Sequence, residues 1–74
     1  MRMAAIVKVI EIIAESTESW EAATKLAVAE AAKTIRNIKN VYIENLKAIV
    51  ENNQIISYRV NAKVSFIVEP EDIS

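Results

Sequence analysis

The sequence predicts an α+β subunit of order β-α-β-β, a three-stranded antiparallel sheet wrapped around one long helix. Three features carry that prediction. An opening run rich in β-branched residues gives way to a stretch of helical period. The chain then closes on strict alternation of apolar and polar residues.

The opening run, Ala5 to Ile13, contains Ile6, Val7, Val9, Ile10, Ile12 and Ile13 and reads as a strand. Lys8 and Glu11 fall on its opposite faces by strand alternation. Each face then mixes apolar residues with one charge, which suits a central strand with the helix on one side. Ala14 to Ser19 reads as the start of the helix. Ser16 or Ser19 can accept from an orphan backbone N–H as N-cap, and Glu18 and Glu21 suit the positive end of the helix dipole. From about Thr17 to Asn37 the period is helical. Trp20, Ala23, Thr24, Ala27, Ala31, Thr34, Ile35 and Ile38 share one stripe, with Glu18, Glu21, Lys25, Lys33 and Arg36 largely opposite. At ~1.5 Å per residue such a helix spans roughly 30 Å.

A second strand is expected from about Asn40 to Val50, followed by a turn at Glu51-Asn52-Asn53-Gln54. The chain has no glycine, and asparagine is the residue that otherwise best tolerates positive φ. In the last strand Ile56, Tyr58, Val60, Ala62, Val64, Phe66 and Val68 alternate with Ser57, Arg59, Asn61, Lys63 and Ser65. Pro70 and the acidic residues Glu69, Glu71 and Asp72 end it. Pairing the hairpin about Asn52-Asn53 puts Val41, Ile43 and Ile49 with Val64, Ala62 and Ile56 on the face that takes the helix. Tyr42, Glu44, Leu46, Arg59, Asn61 and Lys63 form the other face.

Composition narrows the functional classes. At 74 residues the chain is one domain, 1–74. A core of this size rarely supplies more than about 3–5 kcal/mol unaided, yet 53% of the residues are hydrophobic. Without cysteine or histidine, disulfides, thiolate metal sites and the commonest general base are excluded. Self-association is the stabilising device left, apart from a carboxylate-bound hard cation. A net charge of −1 without a basic block argues against nucleic acid. The apolar N-terminal run is too short for a signal-peptide core or a membrane span, so a cytoplasmic protein is expected. No glycine-rich phosphate loop or paired acid motif suggests an enzyme.

Val7-Lys8-Val9-Ile10-Glu11-Ile12-Ile13, followed by Ser16 and Ser19-Trp20-Glu21-Ala22-Ala23, resembles the opening of dodecins. Ala31, Lys33-Thr34-Ile35-Arg36-Asn37-Ile38, Tyr58-Arg59-Val60, Lys63-Val64 and Phe66 extend the resemblance over nearly the whole chain. It implies a hollow, spherical homododecamer that binds flavin (riboflavin, FMN or FAD) at two-fold axes and serves in flavin storage. In that family a tryptophan at the start of the second strand stacks on the flavin, and a glutamine follows the tyrosine of the third strand. The matching positions here are Asn40 and Arg59, the candidate cofactor-binding residues.

These two departures change the chemistry. Ring stacking is worth about 1–3 kcal/mol by analogy with nucleobases, and asparagine supplies little of it. Glutamine offers an acceptor and two donors, whereas arginine only donates. Asn40 and Arg59 are expected on the same sheet face, with alternative roles at the helix-to-strand turn and in a diagonal ion pair with Glu44. The resemblance also extends to dodecin-like proteins without the aromatic that are associated with cations such as calcium. Three readings therefore stand: a flavin-binding oligomer, a cage for a cation or small anion, and a purely structural assembly. No metal ligands are assigned, and Glu69, Glu71 and Asp72 read as a hard-cation site or a solvated tail. Trp20 is expected in the core or an interface, and Tyr58 as an ordinary strand residue.

Overall fold

A computed structural model describes residues 6–68. Ala5, Pro70 and the acidic residues Glu69, Glu71 and Asp72 lie outside the described residues. The element order is β1 (Ile6–Ser16), α1 (Trp20–Ala32), β2 (Ile38–Glu51) and β3 (Gln54–Val68), as expected from the patterning. The sheet is antiparallel in the order β1-β3-β2.

β1 is therefore an edge strand, not the central one that its mixed faces suggested. The alternating β3 takes the centre because it pairs on both sides. Its even-numbered face meets the helix, and Val60, Ala62 and Val64 are fully buried there. Ala23, Ala27 and Ala31 stack at intervals of four along α1 and are buried. With only methyl groups on that stripe, the helix lies close on the sheet. Ala14, Ala23, Ala27, Val60 and Ala62 form the core cluster, flanked by Ile12, Trp20, Val41 and Ile43.

The helix begins and ends inside the predicted bounds. β1 runs on through Ala14, Glu15 and Ser16, which pair with Val60, Arg59 and Tyr58. Ladder pairing thus claims residues that looked like the start of the helix. Ser19 is the N-cap and accepts from the Ala22 N–H, while Ser16 Oγ accepts from the Glu18 N–H in the preceding turn. Helical structure stops at Ala32, and Asn37 takes a left-handed φ of 63°. The chain thereby reverses into β2, so Ile38 pairs with Phe66 and does not extend the helical stripe. The rod is 13 residues long, or ~20 Å at ~1.5 Å per residue.

The β2–β3 hairpin turns at Asn52 and Asn53, with φ of 51° and 63°. This is the positive-φ pair that a two-residue hairpin needs, supplied by asparagine. Register shifts occur at three places: between Ile38 and Asn40, between Ile43 and Asn45, and between Ile49 and Val50. In the second of these Ile43 faces Ala62 but Asn45 faces Asn61, so Glu44 is the extra residue of a bulge. Beyond Glu44 the parity of β2 inverts. Leu46 comes opposite Val60 on the helix side, and Ile49 comes opposite Ser57 on the other. Unbroken alternation had placed these two residues the other way round. Ile56 is the unpaired residue of the third shift, which removes it from the expected pairing with Ile49.

β1 reaches only as far as Tyr58 on β3. The turn end of the hairpin therefore projects as a two-stranded arm carrying exposed Val50, Ile55 and Ile56. The chain measures 60 × 20 × 13 Å with a radius of gyration of 15.8 Å. A compact domain of this length has a radius of gyration of about 11 Å. Accessible surface is 5615 Å², against about 4,600 Å² for a compact monomer of the same mass.

Candidate functional site

The face of the sheet turned away from the helix carries the polar constellation. Strand alternation and the Glu44 bulge together build it. Across the sheet, Glu15 on β1 stands opposite Arg59 on β3, which stands opposite Lys47 on β2. The adjoining row is Ile13, Asn61 and Asn45. Without the bulge, Asn45 and Lys47 would point towards the helix. Ile13, Asn45, Lys47, Arg59 and Asn61 line an open hollow of about 80 Å³. That is well below the roughly 300 Å³ of the smallest typical ligand pockets. A single subunit alone therefore provides a seat for a few atoms.

Arg59 is held by Glu15, not by the Glu44 partner that diagonal pairing suggested. Its Nη2 lies 2.8 Å and its Nε 2.9 Å from Glu15 Oε1. Glu44 pairs instead with Lys63, at 3.5 Å. Glu15 uses its second oxygen as well, accepting from Ser57 Oγ at 2.9 Å. Ser57 is only 4% exposed, so this bond anchors a partly exposed carboxylate to the sheet. Asn61 donates from Nδ2 to Glu11 Oε2 at 3.0 Å. The bonds from Arg59, Ser57 and Asn61 each join β3 to β1, whereas the Lys63–Glu44 pair joins β3 to β2.

The Arg59 and Ser57 hydrogen bonds favour the ionised carboxylate and hold Glu15 below its usual carboxylate range, outweighing the opposing effect of burial. A lowered folded-state pKa contributes stability that is fully present above the unfolded value. That stability is lost as pH falls through the folded value. Wild type is accordingly expected to melt above Glu15→Gln at neutral pH. The gap is expected to narrow once pH drops into the carboxylate range and to close below the lowered value. Melting curves by circular dichroism across acid pH check this; a gap that stays constant with pH would remove the charge from the account.

Asn40 and Arg59, the two positions singled out from the sequence, do share this face. Asn40 pairs with Ser65 and Arg59 with Lys47. Six residues of β3 separate the two rows, about 20 Å at ~3.3 Å per residue. One subunit does not bring them together. Sequence reasoning missed Lys47, Asn45 and Glu15. The first two are turned to this face by a bulge that leaves no mark in the hydrophobic pattern, and Glu15 lies in residues that read as the start of a helix.

Trp20 sits on the helix side, away from this face. Its indole Nε1 donates to the Lys47 carbonyl at 2.9 Å. Its ring meets Tyr58 edge-on, with centroids 4.9 Å apart and planes at 72°, so Tyr58 has a packing role beyond filling a strand. The helix thereby pins the backbone of Lys47, whose side chain lines the hollow. Among the described residues no group of three His, Cys, Asp or Glu side chains is arranged to hold a metal ion. None of the described helices is long and apolar enough to cross a membrane.

Comparison with known proteins places this geometry. A calcium dodecin of Mycobacterium tuberculosis is 34% identical over 65 residues, covering 88% of this chain and 92% of its own. The crystal structure of a calcium-chelating dodecin from the same organism, with a calcium-binding site, superimposes with a TM-score of 0.76 at 32% identity. That match covers 93% of this chain and 99% of the other. A variant of the T. thermophilus dodecin matches with a TM-score of 0.84 at 27% identity, covering 89% and 98%. The family model for Dodecin matches residues 6–69. Together with the β-α-β-β fold and its three-stranded antiparallel sheet, these matches show that the chain belongs to the dodecin family.

Proposed function

We propose that the chain is the non-enzymatic subunit of a homododecameric shell that binds and stores a small polar ligand or ion in the cytoplasm. The observation that carries this reading is the amount of apolar surface that one subunit leaves in water. Leu46, Val50, Ile55, Ile56 and, on the β1 edge, Ile6, Val7, Val9 and Ile13 are exposed. A two-stranded hairpin is marginal by itself in water, so the projecting arm needs a surface to lie on. A second copy of the chain supplies one, and closed point-group symmetry satisfies every copy alike. Native mass spectrometry of the untagged protein is expected to show twelve subunits with any retained ligand. A compact, folded single chain at low concentration would end the proposal.

Within such a shell, Asn40 and Arg59 contact ligand by joining residues from neighbouring copies, because one subunit holds them apart. Their chemistry disfavours a stacked flavin. Wild type is expected to leave the fluorescence of micromolar riboflavin unquenched. The double variant Asn40→Trp, Arg59→Gln restores an aromatic face and an acceptor. It is expected to bind riboflavin more tightly by about 1–3 kcal/mol, roughly 5- to 150-fold. Quenching by wild type at micromolar flavin would instead reinstate flavin as the ligand.

Calcium is the second reading, favoured by the calcium dodecin relatives. It predicts that calcium chloride raises the melting temperature and that a chelator reverses the rise. A melting temperature indifferent to both would eliminate it.

A further inference from the structure

We propose that the hollow bounded by Ile13, Asn45, Lys47, Arg59 and Asn61 is a site for a small oxyanion, with Lys47 as the charge that holds it. The inference deepens the ligand-binding reading and rests on it only in taking this sheet face as the one turned to ligand.

The charge arithmetic of the face is the reason. Lys47 and Arg59 are direct cross-strand partners, and like charges placed opposite one another destabilise a sheet. Arg59 is compensated by Glu15, which spends one oxygen on the guanidinium and the other on Ser57. Lys63 is compensated by Glu44, and Glu11 accepts from Asn61. Among the described residues Lys47 meets no carboxylate. The row Glu15, Arg59 and Lys47 therefore carries a net positive charge beside a hollow lined by two carboxamides.

The donors suit an oxyanion. Lys47 offers three N–H groups, and the Asn45 and Asn61 amides and the remaining Arg59 N–H groups offer more. Asn61 retains a second N–H after serving Glu11. Ile13 adds an apolar edge to this otherwise polar lining, and the charged donors make charge-assisted bonds, the stronger class of hydrogen bond. The volume fits a group of a few heavy atoms, such as phosphate or a carboxylate. Position is fixed as well: the Glu44 bulge aims Lys47 at the hollow, and the Trp20 bond to its carbonyl holds the backbone in place.

Isothermal titration of the intact assembly with inorganic phosphate, and separately with acetate, tests the site in a zwitterionic buffer of low ionic strength. At least one anion is expected to bind. Tighter phosphate marks a tetrahedral oxyanion, and tighter acetate a carboxylate. Lys47→Gln is expected to weaken binding by about tenfold or more, the loss of one charge-assisted hydrogen bond, and Lys47→Arg to retain most of it. Glu15→Gln is expected to tighten it by leaving Arg59 uncompensated, and added salt to weaken it. Lys25→Gln, which removes a helix-surface charge, is expected to change nothing. If neither anion binds wild type, or if Lys47→Gln binds as well as wild type does, the site is wrong. Native mass spectra of the same samples separate the cases. An intact dodecamer without anion binding rejects this site alone, whereas a monomeric spectrum rejects the shell proposal.

Discussion

Replacing Val60 by aspartate is expected to abolish folding. Val60 is 0% exposed at the centre of β3, packed in the cluster with Ala14, Ala23, Ala27 and Ala62. None of those neighbours has a side-chain donor. A carboxylate there is either buried without a partner or protonated, and either state costs several kcal/mol. The core of a chain this short supplies only about 3–5 kcal/mol. Circular dichroism is expected to show no cooperative melting transition, and size-exclusion chromatography no assembly. Val60→Ala is the graded control, expected to cost about 2 kcal/mol through lost burial and a small cavity. Val50→Asp gives the contrast: Val50 is 57% exposed in the single chain, on the projecting arm. That variant is expected to keep its secondary structure and lose the assembly. A folded, assembling Val60→Asp protein would show that the core has been assigned to the wrong residues.

Trp20→Ala carries the second largest expected loss, about 3 kcal/mol, the lower end of the range for a core tryptophan because the side chain is half-buried. The ring stitches three elements together. It leaves α1 at its first turn, packs edge-on against Tyr58 of β3 and donates to the Lys47 carbonyl of β2. Few other contacts tie the helix to β2 across the bulge. Trp20→Phe keeps most of the aromatic contact and forfeits the N–H, at an expected cost of about 1 kcal/mol. Urea denaturation followed by circular dichroism separates the two variants. Equal stability of Trp20→Ala and wild type would remove the tryptophan from the core account. Trp20→Phe also leaves the Lys47 carbonyl without its donor, so it loosens the backbone beneath the anion site without touching the hollow.

Much of the architecture was legible from single residues. The alternation from Tyr58 to Val68 identified β3 and its buried face, because a strand with one covered side has period two. Ala23, Ala27 and Ala31 identified the helix face for the matching reason. Asn52-Asn53 marked the hairpin, since a chain without glycine has few other ways to reach positive φ twice in succession. The dodecin resemblance was carried by segments in β1, α1 and β3 and by the turn that leads into β2, and the family model spans all of them.

The site was less legible. Arg59 was visible as a position, but its partner was not, because Glu15 belongs to an edge strand whose last three residues mimic the start of a helix. Pairing across β1 and β3 is a contact between residues 44 apart in the chain, and no local pattern encodes it. Lys47 and Asn45 face the hollow only because Glu44 is an extra residue in β2. A bulge shifts every later side chain to the opposite face while leaving composition and spacing unchanged. Local periodicity, set by nearest neighbours along the backbone, thus determined the order of elements and which residues could form a core. Register between strands, set by the packing of distant residues, decided which charges meet and which lysine is left to seek an anion.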